Sequence, residues 1–333
     1  MCNYSFFVGS DISKAVIDVS YLGNKKSVYL GQYLNSKEGF EKLIKDLCLK
    51  TNVSKKQWFV CFENTGAYSK SFLQWLTDKG IPCREENPLK INKSLGLRRG
   101  KNDMADSKDI CQYAFEKRDS IQPTILDKPL INKLKSLLSR RDLLVKQKTA
   151  LSVSLKEQKF IMDAKLFKEL NADNRRMILL YEKQISSIET KLQKVIKSDP
   201  EIERNDKLAR SVIGIGPITS AYIISRTNNY STFTDPRKFA SYCGVAPFPN
   251  SSGTRQGSRK VNQMANKKLK SLFSNSVIAA IVHDPELSKY FKRKIEEGKK
   301  TSVVINAVKN KIIHRVFSVV KRQTPYVKLM NYT

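Results

Sequence analysis

The sequence predicts an α/β domain built on a mixed sheet, followed by a helical remainder. Three observations lead there. Strand-like and helix-like runs alternate through the first hundred residues, the stretch from Ile131 to Lys197 holds neither Gly nor Pro, and the last third carries Lys-rich helical segments. The first domain opens with SFFVGSDISKAVIDVSYLGNKKSVYLGQYL, three β-like runs of which the last two meet at Gly23-Asn24, a good hairpin turn. Ser36 then caps an amphipathic helix to about Leu49, QWFVCFE is a short apolar run ending at Glu63, YSKSFLQWLTDKG reads as a helix closed by Gly80, and IPCREEN reads as another strand. This βββαβαβ order fits a ribonuclease H-like sheet, in which the first and fourth strands are neighbours. Asp11 and Glu63 would then lie side by side. The loop NPLKINKSLGLRRGKN carries Lys90, Lys93, Arg98, Arg99 and Lys101 before a helix begins near Asp103, and Asp103 and Asp106 share one face of it.

The Gly- and Pro-free stretch reads as a coiled-coil helical hairpin with its turn at Asn171-Ala172-Asp173-Asn174. Ile178, Tyr181, Ile185, Ile188, Leu192 and Val195 form a heptad seam that asks for a partner helix, from this chain or a second copy. Asp199-Pro200 ends it. A mainly helical region follows, from LARSVIGIGPITSAYIIS through a Pro- and Ser-containing loop, PFPNSSGTRQGSR, into Lys-rich helices.

Composition narrows the function. The chain has 61 Lys plus Arg against 31 Asp plus Glu, a net charge of +30 over 333 residues. Residues 251–333 hold 18 of the cations and 4 of the acids, so this region alone is +14. Such an excess is the footprint of a polyanion. The six cysteines lie at least 13 residues apart, which excludes a C-x-x-C zinc pair and a compact disulfide frame. Two histidines argue against a multi-His metal site and a Ser-His-Asp triad. No 18-residue apolar segment and no secretory leader pattern occur, so an intracellular protein away from membranes is expected.

In so basic a chain, Asp11, Glu63, Asp103 and Asp106 each fall where a core strand or helix ends. Carboxylates converging from separate segments are what Mg²⁺ (or Mn²⁺) needs in phosphoryl transfer, since a hard cation takes oxygen ligands while keeping positions open for phosphate and water. The bland reading makes Asp103 an N-cap, Asp106 a first-turn acid, Asp11 a turn residue and Glu63 a strand-end acid. Further along, Gly214-Ile215-Gly216-Pro217 resembles a helix-hairpin-helix turn whose backbone N–H groups hold a phosphate; its alternative is close helix packing. Tyr290 to Lys294 interleave aromatic and cationic side chains, as base stacking asks, or form the solvated face of an amphipathic helix.

The segments GSDISKA, FENTGAY, NPLKIN and RRGKNDMADSKDI resemble, in order, the four N-terminal motifs of the DEDD transposases of bacterial insertion sequences, described as bridge-RNA-guided recombinases. GIGPITSAYIIS, KFASYCGVAPFPNSSGT and YFKRKIEEGKKTSVVINAVKNKIIHRVF resemble the C-terminal transposase domain of that family. The resemblance implies a RuvC-like domain over 1–128, a coiled-coil hairpin over 129–199 and a C-terminal domain over 200–333 that donates a nucleophilic serine. Carried over by position, Asp11, Glu63, Asp103 and Asp106 would be the metal-binding acids and Ser252 the nucleophile, with Ser251 as its neighbour alternative. Asn102 departs from the family, which often has Thr there.

On residues alone, a hydroxyl beside Gly253 is open to a phosphodiester, but Ser and Gly near Pro also make ordinary turns. Lys90, Lys93, Arg98, Arg99, Lys101, Gly214, Gly216, Arg255, Arg259 and Lys260 are the expected nucleic-acid contacts. The expected partners are donor and target DNA, a structured guide RNA and further copies of the chain, dimer or tetramer, joined by the coiled coil. The expected location is the bacterial cytoplasm, at the nucleoid. Competing functions are a metal-dependent junction nuclease using water, an actin-like or sugar-kinase ATPase, and a purely architectural RNA-binding role.

Overall fold

The computed structural model describes residues 4–23, 26–94, 102–246, 248–252, 255–260 and 265–327, with 248–252 and 255–260 described as backbone. The chain divides into two compact units, residues 1–126 and 127–333.

The first unit is a five-stranded mixed sheet with helices on both faces. Its strands are β1 (Phe6–Ile12), β2 (Val16–Gly23), β3 (Lys26–Leu34), β4 (Trp58–Glu63) and β5 (Cys83–Glu86), in the spatial order β3-β2-β1-β4-β5. β1, β2 and β3 pair antiparallel, whereas β1–β4 and β4–β5 are parallel. This architecture is compatible with the ribonuclease H-like sheet expected. The expected Gly23-Asn24 turn lies partly outside the described residues, but Gly23 pairs with Lys26 on either side of it.

Alternation along β1 splits the apolar residues between two cores. Phe6, Val8 and Ile12 point to α1 (Lys37–Cys48) and α2 (Ala67–Asp78), where they meet Phe40, Leu43, Phe72 and Leu76. Phe7 points the other way, with Phe59 and Cys61, onto α3 (Pro88–Ser94) and α4 (Asp103–Glu116), against Ile91, Ile110 and Cys111. Ser36 caps α1 by accepting from the Gly39 amide at 3.3 Å, and Gly80 takes a positive φ of 67° just beyond α2.

Gly9 sits on the α4 face of β1. A β-carbon there would fall 2.2 Å from the Cys111 amide nitrogen and 2.3 Å from the Ser107 carbonyl oxygen. The helix lies this close to the strand because the residue is Gly.

The second unit holds α5 (Pro129–Ile161), α6 (Ala164–Lys197), α7 (Pro200–Ser211), α8 (Pro217–Thr227), α9 (Pro236–Tyr242), the strand pair β6 (Phe248–Ser252) and β7 (Arg255–Lys260), α10 (Lys267–His283), α11 (Pro285–Glu296) and α12 (Thr301–Arg322). α5 and α6 run antiparallel, as the ion pairs Arg141–Glu189 at 2.7 Å and Lys148–Glu182 at 3.3 Å require. The seam residues Ile185, Ile188, Leu192 and Val195 are buried and share one core with Ile131, Leu134 and Leu138 of α5 and with α7, α8, α10 and α12. Part of the seam's partner therefore comes from this chain.

Two expectations are corrected. The hairpin turns at Met162-Asp163, not at 171–174, because Asp163 caps α6 by accepting from the amides of Lys165 and Leu166 while Asn171 to Asn174 continue the helix. The segment expected as a loop, 247–259, contains the antiparallel pair β6–β7.

Candidate metal centre and nucleic-acid interface

The close approach at Gly9 lays the start of α4 against the end of β1. Asp11 and the first-turn residues Asp103 and Asp106 thereby come together, each offering one carboxylate oxygen within 4.8 Å of the others. Asn102 is the N-cap, its side chain accepting from the Met104 amide at 3.1 Å, so neither Asp103 nor Asp106 is spent on capping. The departure from Thr at position 102 is chemically small, since both residues cap helices well.

Burial first, and then repulsion from Asp103, Asp106 and Asp18, pushes the Asp11 carboxyl up to about 6. Among the described residues no Lys or Arg pairs with Asp11, Asp103 or Asp106. Asp11 and Asp106, half-buried, and Asp103, exposed, carry surplus negative charge that no cation pairs with among the described residues, and such a set fits a hard divalent cation.

Glu63 ends β4. Ser10 of β1 pairs with Phe62, so the next rung sets Asp11 beside Glu63, and Glu63 in turn pairs with Glu86 of β5. Its carboxylate is not among the three that converge.

The other expected residues lie apart. Lys90 forms an ion pair with Glu86 at 3.1 Å, Lys93 is in the last turn of α3, and Arg98, Arg99 and Lys101 lie outside the described residues. Gly214 has a φ of +93°, and a β-carbon on it would meet the Ser276 carbonyl oxygen at 2.4 Å, so packing onto α10 explains this glycine. Gly216 is the N-cap of α8, with open space where its β-carbon would be and no side-chain cap.

Ser252 is the last residue of β6 and pairs with Arg255 across the turn, next to the Ser251–Gln256 pair. Arg259 and Lys260 follow on β7, while Gly253 and Thr254 lie outside the described residues. Tyr290 carries Lys311 over its ring at 4.6 Å.

Sequence reasoning missed Asp18, a carboxylate 5% exposed on β2, opposite Asp11. Its oxygens accept from the Tyr29 hydroxyl at 2.6 Å and the Gln32 amide at 3.1 Å. The available signal was an acid inside the otherwise apolar run AVIDV.

A DEDD transposase model of the IS110 type, described as Transposase, matches residues 8–158, and the model described as Transposase IS116/IS110/IS902 family matches residues 206–292. The chain belongs to this transposase family. It is 25% identical to the pilin gene-inverting protein of Moraxella bovis, over 97% of this chain and 98% of that protein. It is also 25% identical to an uncharacterized 44.8 kDa protein of insertion element IS116 from Streptomyces clavuligerus, over 53% of this chain and 44% of that one. A probable family 20 transposase of Pseudomonas aeruginosa is 22% identical over 44% of this chain and 43% of its own length. The protein is thus a DNA transposase, or recombinase, and its acid cluster lies within the DEDD match. No helix among the described residues is long and apolar enough to cross a membrane.

Proposed function

We propose that the transposase cuts and rejoins DNA through a covalent Ser252–DNA intermediate, with Asp11, Glu63, Asp103 and Asp106 holding Mg²⁺ (or Mn²⁺) and a structured bridge RNA selecting the sites. The observation that carries this reading is the convergence of Asp11, Asp103 and Asp106, with no Lys or Arg paired to them among the described residues. A bound ion would supply Lewis-acid stabilisation of charge on the phosphate. In the first step the Ser252 hydroxyl oxygen bonds to phosphorus, the bond from phosphorus to the deoxyribose oxygen breaks, and that oxygen leaves with a proton. In the second, a free strand hydroxyl attacks the serine phosphodiester and the serine recovers its proton. The bond energy is kept throughout, so joining needs no nucleotide cofactor.

The +14 of residues 251–333 supports a polyanion on the C-terminal part. With a guide, pairing reads sequence and the protein reads backbone and shape. On this reading residues 1–128 form the RuvC-like metal domain, 129–199 the coiled-coil hairpin and 200–333 the serine domain. Copies of the chain associate through the hairpin, whose far end exposes Phe160, Ile161 and Leu166. The site of action is the bacterial nucleoid in the cytoplasm.

The test is a reaction on end-labelled DNA run on denaturing gels. Label should stay on wild-type protein at Ser252, and Ser252→Ala should lose both adduct and joined product while Ser251→Ala keeps them. Metal-dependent cleavage by Ser252→Ala with free phosphate ends and no adduct would make the protein a water-using nuclease. RNA retained on the purified protein should be one structured species, and specific recombination by an RNA-free preparation would remove the guide.

A further inference from the structure

One rung of the first unit's sheet is built almost wholly of acids. Reading across from β3, Gln32 pairs with Asp18, Asp18 with Asp11, Asp11 adjoins Glu63 at the next parallel step after Ser10–Phe62, and Glu63 pairs with Glu86. Directly paired residues project from the same face. That face is the one under α4: two residues along β2 from Asp18, Ser20 meets Ser107 of α4 at 2.7 Å, and Glu86 accepts from Tyr113 of α4 at 3.4 Å.

The two flanking acids are treated differently. Glu86 is neutralised, with Arg84 at 3.2 Å and Lys90 at 3.1 Å. Asp18 is equally buried, yet its partners are the uncharged Tyr29 and Gln32, and no cation pairs with it among the described residues. Burying a carboxylate without a counter-charge is costly, and neutral donors offset only part of that cost. The charge is held in place on the strand next to Asp11, directly opposite it in register.

We infer that Asp18 is a positioning residue of the metal centre, a buried carboxylate held by two neutral donors beside Asp11 that strengthens divalent-cation binding without being a ligand. This rests on the reading of Asp11, Asp103 and Asp106 as ligands. Asp18 has both oxygens engaged by Tyr29 and Gln32, which fixes it one strand away from Asp11. Its contribution is long-range Coulomb attraction, which for a divalent ion in a largely aqueous site corresponds to roughly five- to tenfold in affinity.

The experiment measures Mn²⁺ binding to the full chain by the loss of the free-ion paramagnetic resonance signal, with melting in EDTA alongside. Asp18→Asn keeps an acceptor for Tyr29 and removes the charge. It should weaken Mn²⁺ roughly five- to tenfold with melting in EDTA unchanged or raised. Tyr29→Phe removes the hydrogen bond and keeps the charge, and should hold affinity within about twofold. In the cleavage assay Asp18→Asn should need more Mg²⁺ for half-maximal rate and regain the wild-type rate at saturation. Wild-type Mn²⁺ affinity in Asp18→Asn overturns the inference alone. So does a loss in both variants that tracks a lower melting temperature, which is what a merely structural residue would give. No Mn²⁺ binding by wild type, or equal binding by Asp11→Asn, overturns the metal reading and this inference with it.

Discussion

Replacing Asp11 by Asn should make the metal-free protein more stable while destroying its activity. Asp11 is held at about 6, against 3.8 for an ordinary Asp, by burial and by the neighbouring acids. A shift of about two units corresponds to about 3 kcal/mol of penalty on the charged form. Asp11 is only partly shielded from water, so screening reduces this to about 1.5 kcal/mol.

The sign follows from linkage. The folded state holds the proton more tightly than the unfolded chain, so below pH ~4 there is no penalty. Between ~4 and ~6 stability is lost as the unfolded chain ionises first, and above ~6 the loss is constant. Asn never ionises. At pH 7.5 in EDTA, Asp11→Asn should therefore melt roughly 4 to 7 °C higher than wild type in the first unit, and at pH 4 the gap should close. Both tryptophans of the chain, Trp58 and Trp75, lie in this unit, so their fluorescence reports its melting without interference from the second. Adding Mg²⁺ should raise wild type and leave the variant in place. A variant that melts below wild type in EDTA at pH 7.5, or a gap that persists at pH 4, would refute the argument that repulsion among these acids is unrelieved without a cation.

Other outcomes follow from the second unit and from charge. Arg315 bridges Asp284 at 2.5 Å and Glu286 at 2.6 Å, and Asp284, 2% exposed, also caps α11. Arg315→Ala strands that acid and should cost about 3 to 5 kcal/mol, read as a lower urea midpoint; a change under ~1 kcal/mol would mean the bridge is solvated. Ile185→Asp with Leu192→Asp places charges in the shared core and should unfold the second unit, whereas Phe160→Asp with Ile161→Asp, on exposed positions, should keep the fold and lower the mass seen by light scattering. An unchanged mass would remove the hairpin end from the oligomer interface. Affinity for duplex DNA should fall with salt at a log–log slope of roughly −0.9 per neutralised phosphate, and a flat dependence would mean that the basic face does not meet the backbone.

The first unit was legible in the sequence because its signals are local and agree with one another. Alternation marks β1, Ser36 and Gly80 bracket α1 and α2, and the strand order alone predicts Asp11 beside Glu63. The hairpin turn was misread because Asn171-Ala172-Asp173-Asn174 has turn-forming residues, but on an exposed helix face these cost only a few tenths of a kcal/mol each. Asp163, with two amides to accept from, decides the break instead. β6–β7 was missed because its ladder joins backbone groups while NSS and RQGSRK lack an apolar alternation to read. The role of Asp18 was hidden for another reason: which acid faces which depends on register between strands, and a sequence does not print register.

The fit of α4 against β1 at Gly9 bears on how such elements age. A survey of related sequences that counts only the four acids would score a copy with Ala at position 9 as intact. Yet a single methyl group there collides with the backbone at Ser107 and Cys111 and lifts the helix that carries Asp103 and Asp106. Gly9→Ala, assayed for Mn²⁺ binding and strand cleavage, should behave as a knockout with all four acids present. Position 9 then serves as a marker of dead copies that the acids themselves cannot reveal.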